Sequence, residues 1–187
     1  MTKALILIDI QLGFDNPVWG ARNNPDAEAN AARLLQHWRS QDWPIFHIRH
    51  LSTTIGSPLA VGQQGTGFKP EVKPFADETV IEKNVNSAFI GTNLEERLHG
   101  CFATDLVICG LTTPHCVSTS ARMGANLGFG VELAHDACAA FTCNADMSWL
   151  PDGQPMTAQQ IHDTAIAHIH GEFATAKTTS AILGNAG

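Results

Sequence analysis

The sequence lacks a long apolar segment and a cluster of basic residues. Its first apolar run, residues 4–8, is ended by Asp9 and is too short for a signal peptide or a membrane span. Only 11 Lys and Arg residues stand against 18 Asp and Glu, and the net charge of -7 argues against non-specific binding of nucleic acid. We therefore expect a cytoplasmic protein that has neither nucleic acid nor a membrane as its partner.

Closely spaced cysteine pairs are also missing from the sequence. It contains five cysteines, an odd number, and no C-x-x-C motif. This pattern disfavours a disulfide framework, a zinc ribbon and a thiol redox protein with a resolving cysteine. In a reducing compartment all the cysteines should be thiols, of which one is a candidate for a reactive residue and the rest belong to the core.

The size and composition fit one globular domain over residues 1–187. Hydrophobic residues make up 44% of the chain and charged residues 16%, a balance that is typical of proteins with a buried core. We find no internal repeat, no low-complexity tract and no domain linker in the sequence.

Short apolar runs alternate with amphipathic segments along the chain. The runs predict strands at residues 4–8, 45–50, 80–81, 106–109 and 131–134, and a sixth at Thr175–Lys177. The alternation is typical of right-handed βαβ units, so it predicts a parallel sheet covered by helices on both faces. Residues 51–77 are rich in Gly and Pro and predict a long loop, which in a compact domain is usually functional or disordered.

Capping signals predict where the helices begin. Asn24 is expected to cap the first helix, which ends before Pro44. A capping box at residues 92–95, Thr-Asn-Leu-Glu, predicts a second helix. Thr157 and Gln160 form another such box and predict a helix near the end of the chain.

Three polar side chains lie at the carboxyl ends of predicted strands, where ligands bind in sheets of this kind. Asp9 follows the first strand, Lys83 the third, and Cys116 lies just past the fourth. With Thr113 as cap and Pro114 in the first helical position, Cys116 falls in the first turn of a helix over residues 114–127. Backbone N–H groups and the helix dipole favour a thiolate there, Lys83 would lower the thiol pKa further, and Asp9 could shuttle the proton.

Each of these residues also has a purely structural interpretation. Cys116 could be a small buried apolar residue, as free cysteines often are. Asp9 could cap a loop N–H or form a buried ion pair, and Lys83 could simply be solvated.

Taken together, the residues resemble the isochorismatase-like cysteine hydrolases, a family that includes nicotinamidases and carbamoyl and ureido amidohydrolases. The resemblance covers nearly the whole chain and runs through LILIDIQLGF, VIEKNVNSAFIGTNLEERL, VICGLTTPHCVSTSAR and GVELAHDACAAF. It implies a three-layer α/β/α sandwich with a mostly parallel, Rossmann-like sheet of six strands. It also implies a catalytic triad of Asp9, Lys83 and Cys116, and a homodimer or homotetramer.

The resemblance implies a reaction as well. A non-proline cis peptide at Leu111–Thr112 would aim the N–H of Thr112, with that of Cys116, at an oxyanion hole. Asp9 would take the thiol proton while Cys116 attacks the carbonyl of a small amide, carbamoyl or ureido compound, and water would hydrolyse the thioester. An isochorismatase-type vinyl-ether hydrolase, which needs no cysteine, and a catalytically silent module that binds a small ligand remain alternatives.

The stretch FHIRHLSTT departs from the nicotinamidase branch, whose Asp-x-His and further His bind a metal. His47 and His50 lie an odd number of positions apart and face opposite sides of a strand, so we expect no metal and no cofactor. We assign His50 to the substrate pocket together with Phe14, Trp19 and Phe89. The alternatives are a surface histidine and aromatic side chains in the core.

Overall fold

The computed structural model describes residues 2–184, and its centre is a single sheet of six strands. The strands are β1 Thr2–Ile8, β2 Ile45–His50, β3 Thr79–Lys83, β4 Ala103–Leu111, β5 Gly130–Ala139 and β6 Thr175–Lys177. Their order in the sheet is β3-β2-β1-β4-β5-β6, and every neighbouring pair is parallel. The predicted α/β class and the sixth strand are therefore confirmed.

Helices flank this sheet. They are α1 Ala27–Ser40, α2 Leu94–Gly100, α3 Ser118–Asn126, α4 Ala158–Ala167 and α5 Thr179–Ile182. A π-helical turn, Thr113–Val117, leads directly into α3 and is called the Cys116 turn below. Within residues 2–184, no helix has both the length and the apolar character that crossing a membrane requires.

The core forms around β1, which pairs with strands on both sides. Residues 4–8 are at most 2% exposed, as expected for a continuous apolar run in the middle of a parallel sheet. Helix α1 packs over this region with Leu34, Leu35 and Trp38 buried. The indole of Trp38 also donates a hydrogen bond of 3.1 Å to the carbonyl of Lys3, which satisfies its one polar group.

The start of α1 differs from the prediction. The helix begins at Ala27, and Asn24 has a positive φ of 42° instead of capping it. The Asn24 amide donates to the carbonyls of Cys138 and His135, at 2.7 and 3.2 Å. The side chain of Asn24 therefore binds main-chain oxygens of β5 and not the start of α1, and it holds this part of the chain against the sheet.

One of the two predicted capping boxes is wrong and the other is confirmed. Helix α2 begins after Asn93 without a side-chain cap, and the hydroxyl of Thr92 donates to the carbonyl of Ala88 at 2.6 Å. Thr157 and Gln160 form the predicted reciprocal pair at the start of α4. The Thr92 hydroxyl also accepts from the N–H of Leu94, at 3.4 Å, instead of from the N–H three positions ahead that a capping box requires.

The long segment at residues 51–77 lies against the chain that follows β1. Lys69 N–H donates to the carbonyl of Ile10 at 3.0 Å, and Leu12 N–H donates to the carbonyl of Gly67 at 2.8 Å. Because Asp9 immediately precedes this pairing, the segment borders the carboxyl end of the central strand.

Candidate active site

Four neighbouring strands end side by side and bring four candidate site residues together. Asp9 directly follows β1, His50 is the last residue of β2, and Lys83 is the last residue of β3. Cys116 lies in the turn that follows β4. The parallel register pairs His50 with Lys83, so these two side chains leave the sheet at the same level.

The ammonium of Lys83 is the centre of the group. It donates to Asp9 Oδ2 at 2.6 Å, to the carbonyl of Val85 at 3.1 Å and to Cys116 Sγ at 3.3 Å, and it lies 3.1 Å from His50 Nδ1. The side chains of Lys83 and Asp9 are fully buried. A buried charge pair of this kind is stable only when the groups around it supply further hydrogen bonds, which Val85 does here.

Asp9 is held in an unusual backbone conformation with one oxygen unused. Its φ is +51°, and its Oδ1 atom is buried without a hydrogen-bond partner among the described residues. Strands β1 and β4 approach each other closely beside Asp9: a Cβ atom on Gly110 would lie only 2.0 Å from the carbonyl oxygen of Ile8. Burial raises the pKa of Asp9 by more than Lys83 lowers it, so this carboxyl group binds a proton more readily than an ordinary aspartate.

Cys116 does not have the lowered pKa that the sequence predicts. Its thiol is 8% exposed, and burial, followed by the charge of Asp9, raises its pKa to about 12 despite the neighbouring Lys83. The thiol is therefore protonated at neutral pH, because loss of water around the sulfur and the charge of Asp9 together outweigh the Lys83 ammonium. Any activation must come from a base that takes the proton during attack.

The Cys116 turn begins one residue earlier than predicted. Thr112 is the residue before the turn, Thr113 is its first residue and caps nothing, and the Leu111–Thr112 peptide bond is cis. The Thr113 hydroxyl lies 2.8 Å from Nδ1 of the buried His162 on α4. That contact takes the hydroxyl away from the helix end.

Asp9, His50 and Cys116 also form a possible set of metal ligands. One donor atom from each lies within 4.8 Å of the other two. The Lys83 ammonium touches all three residues, so a metal ion bound by them would have to displace it. His47 belongs to a different environment, because its Nε2 lies 2.9 Å from Glu78, whereas His50 contacts Lys83.

Two of the aromatic residues predicted to line the pocket come together near the site, and one does not. The ring centroids of Phe14 and Trp19 are 5.1 Å apart, in a cluster that includes Leu111 beside the Cys116 turn. Phe89 instead stacks on Phe129, with 6.3 Å between centroids, in the main core. Phe89 therefore does not extend the aromatic cluster, but it shares the main core cluster with Cys116, and its assignment to the substrate pocket stays a prediction.

Sequence reasoning missed two residues near the group. Gln11 is fully buried, and its side chain bonds both the N–H and the carbonyl of His50, at 2.8 and 3.0 Å. Asn86 is exposed and places Oδ1 3.8 Å from Cys116 Sγ. A glutamine two positions after a strand-ending aspartate was the one signal available for Gln11, because a buried amide needs several partners.

Known proteins are similar to this chain in fold and in sequence. The family model described as "Isochorismatase domain" matches residues 3–181. The isochorismatase family protein YrdC of Bacillus subtilis is 45% identical over 97% of this chain and 94% of its own length. A solved structure of an isochorismatase-family protein from Chromobacterium violaceum has a TM-score of 0.91 at 42% identity, covering 98% of this chain and 93% of that one.

A relative with a named activity matches over a shorter stretch. Streptothricin hydrolase of Streptomyces noursei is 32% identical over 145 residues, which are 74% of this chain and 50% of that enzyme. Its match is weaker than that of YrdC, and it covers half of that enzyme's length. The extent of the family match, with similar proteins in sequence and in structure, establishes that the chain belongs to the isochorismatase family of hydrolases.

Proposed function

We propose that the protein is a cysteine-dependent hydrolase that cleaves a C–N bond in a small amide, carbamoyl or ureido compound through a thioester. The observation that carries the proposal is the contact of Asp9, Lys83 and Cys116 at the buried end of the sheet. A thiol beside a carboxyl group with a free oxygen and a fixed ammonium has a nucleophile, a base and a counter-charge in one place.

In the first step the thiol proton moves to Asp9 as the sulfur attacks. The Sγ–H bond of Cys116 breaks, the proton binds Asp9 Oδ1, and a new bond forms between Sγ and the carbonyl carbon. The raised pKa of Asp9 suits this transfer, because the carboxyl group holds the proton that the thiol gives up. Lys83 remains positive and stabilises the negative charge on whichever partner carries it.

The carbonyl oxygen becomes an oxyanion in that step and needs hydrogen-bond donors. The N–H groups of Thr112 and Cys116 are our candidates, and Thr112 N–H donates to no other described residue. The proton on Asp9 then moves to the nitrogen, the C–N bond breaks, and the amine leaves behind a thioester. A water molecule next gives its proton to Asp9 and attacks the thioester, and the released sulfur takes that proton back.

The raised pKa of Asp9 also favours a second candidate function. A protonated Asp9 could protonate the vinyl carbon of an enol ether, the chemistry of an isochorismatase-type hydrolase, without using Cys116. The cysteine distinguishes the two reactions, since only the amide reaction forms a bond to sulfur.

The test is a panel of small amides, carbamoyl and ureido compounds, assayed for release of ammonia or amine. We expect turnover by the wild type, loss of about 10³-fold in Cys116→Ala, and no change in Cys143→Ala, which removes an exposed thiol. Acid quenching and mass spectrometry should detect a substrate fragment on Cys116. Turnover of these compounds that survives in Cys116→Ala would contradict the thioester. Hydrolysis of an enol ether that survives in Cys116→Ala would favour the vinyl-ether reaction.

The proposal includes a small-molecule substrate, a cytoplasmic location and a homodimer or homotetramer. All five cysteines are free thiols, which fits a reducing compartment. Light scattering on the purified protein measures the assembly directly, and a monomer at working concentration would contradict that part of the proposal.

A further inference from the structure

We propose that His50 is a positioning residue whose Nδ1 atom accepts a hydrogen bond from Lys83, and that its Nε2–H is thereby a fixed donor for the substrate. The donor role rests on the proposed hydrolase function, because a substrate must be bound to receive it. The protonation pattern of the ring does not depend on that function and can be measured without any substrate.

The pattern follows from the chemistry of the two groups in contact. Lys83 Nζ lies 3.1 Å from His50 Nδ1, and an ammonium group can only donate. The ammonium has three N–H groups for four contacts, so one N–H is shared between Nδ1 and a second acceptor. Nδ1 therefore faces the ammonium with its lone pair, the ring is neutral, and its single proton sits on Nε2. The opposite tautomer would place two N–H groups against each other.

The surroundings of His50 keep the ring neutral. Burial, followed by the positive charge of Lys83 on β3, lowers the pKa of His50 to about 4. Asp9 after β1 and Cys116 in its turn are the other titratable groups that face the ring. The Cys116 thiol is uncharged, because its pKa is raised to about 12, and the Asp9 carboxylate is paired with the Lys83 ammonium at 2.6 Å.

Gln11 fixes the backbone that carries the ring. Its Oε1 accepts from His50 N–H at 2.8 Å, and its Nε2 donates to the carbonyls of His50 and Thr66 at 3.0 and 3.1 Å. One buried side chain thus connects the ends of β1 and β2 to the segment at residues 51–77. The imidazole is held on both sides, by Gln11 through its main chain and by Lys83 through Nδ1, which reduces the entropy that binding must overcome.

The remaining ring nitrogen is available to a ligand. No described residue accepts a hydrogen bond from His50 Nε2, and this atom is not among the buried polar atoms that lack a partner, so it reaches solvent. The exposed carboxamide of Asn86 lies next to Cys116, with its Oδ1 atom 3.8 Å from Sγ. We therefore expect a substrate that carries a neutral acceptor, such as a second carbonyl or a hydroxyl, near the carbonyl that Cys116 attacks.

The first experiment measures the ring nitrogens by NMR on the ¹⁵N-labelled full-length protein. His50→Gln identifies the His50 signals among the nine histidines. We expect an unprotonated Nδ1 and a protonated Nε2 at neutral pH, with no titration until the pH approaches about 4. A protonated Nδ1, or a ring that titrates near the usual value for histidine, overturns the proposal.

Two substitutions then separate the two ring nitrogens by kinetics. Asn retains a group near the Nδ1 position, so His50→Asn should raise KM about tenfold and change kcat by less than about threefold. Gln retains a group near the Nε2 position, so His50→Gln should lower kcat about tenfold with little change in KM. His168→Gln changes the exposed histidine that directly follows α4, so it is the matched control and should change neither.

The outcomes are distinguishable from a failure of the hydrolase proposal. If both substitutions change kcat and KM alike, the two nitrogens have no separate roles and the inference about His50 is overturned. If no compound is turned over even by the wild type, the hydrolase proposal fails, and the NMR tautomer alone decides the contact between His50 and Lys83.

Discussion

Two buried lysines hold carboxylates at the same short distance, but in very different settings. Lys83 Nζ lies 2.6 Å from Asp9, and Lys69 Nζ lies 2.6 Å from Asp15 and 2.8 Å from Glu28. Lys83 is the last residue of the strand β3, whereas Lys69 belongs to the segment that connects β2 and β3. Distance alone does not distinguish them, and neither does the burial of the two lysines.

The difference lies in how completely the carboxylates are hydrogen-bonded. Both oxygens of Glu28 have partners, from Arg22 at 2.8 and 2.9 Å and from Lys69 at 2.8 Å. Burial raises its pKa, but the hydrogen bonds from Arg22 and Lys69 outweigh burial, and the pKa of Glu28 is lowered. Asp9 has one partnered oxygen and one free oxygen, and its pKa is raised. A satisfied cluster stabilises the fold, and an unsatisfied one retains an acceptor for a proton.

Turnover gives the largest contrast between the two clusters. Asp9→Asn keeps the shape of the side chain but removes the base, so we expect kcat/KM to fall about 10³-fold with an unchanged circular dichroism spectrum. Glu28→Gln is the matched control, because it makes the same change in the satisfied cluster and should keep turnover within about threefold. Equal losses in both variants would contradict the assignment of Asp9 as the base.

Stability should show the reverse contrast. Lys69→Met leaves Asp15 without its partner and Glu28 with Arg22 alone, so we expect the free energy of unfolding to fall by about 2 kcal/mol. Lys83→Met should cost less stability, because burial already raises the pKa of Asp9 and the carboxylate can take up a proton when its partner is removed. Urea denaturation of the two variants measures both values. A larger loss in Lys83→Met would mean that the Asp9 pair is the structural one.

The rate of alkylation of Cys116 also compares the Asp9 and Glu28 clusters, because it depends on the pKa of the thiol. The charge of Asp9 is the second cause of the raised Cys116 pKa, after burial, and Lys83 opposes it. We therefore expect Asp9→Asn to speed alkylation at mildly alkaline pH by about tenfold, since each pKa unit changes the thiolate fraction tenfold. Lys83→Met should slow it, and Glu28→Gln should leave it unchanged. Cys143→Ala in each background removes the exposed thiol that would obscure the rate.

The meeting of Asp9, Lys83 and Cys116 could be predicted from the sequence because the reasoning needed only topology. Short apolar runs gave the strands, parallel strands end on one edge, and the three residues stand at those ends. The regular geometry of a parallel sheet then brings these residues together, even if the predicted strand limits are wrong by a residue or two. Lys83 was expected after its strand and is the strand's last residue, which leaves its position at the edge unchanged.

The predictions of helix caps were wrong where a side chain contacts a residue that is distant in the sequence. Asn24 and Thr113 both fit a helix cap by sequence, but the β5 carbonyls bind the first and His162 binds the second. The prediction of a lowered pKa for Cys116 was wrong for a similar reason. The burial of the thiol depends on the whole fold and cannot be read from the local sequence. Gln11 was missed because its three partners come from distant parts of the chain.

The smallest expected effect is the pH dependence of stability, and its sign differs between the two carboxylates. Glu28 has a folded pKa below its ordinary value of 4.5, so its contribution is present above that pH and is lost as pH falls through the folded pKa. Asp9 has a folded pKa above its ordinary value of 3.8, so the folded state binds its proton more tightly, and its contribution falls as pH rises between the two values.

Urea curves from about pH 7 to about pH 3 should therefore diverge for the two variants. As pH falls, the wild type should lose its stability advantage over Glu28→Gln, because protonation removes the same charge that the substitution removes. Over the same range it should gain stability relative to Asp9→Asn, since the folded protein takes up the Asp9 proton before the unfolded chain does. Two differences that move in the same direction would mean that Asp9 is held as an ordinary ion pair, and its free oxygen would then have no role as an acceptor.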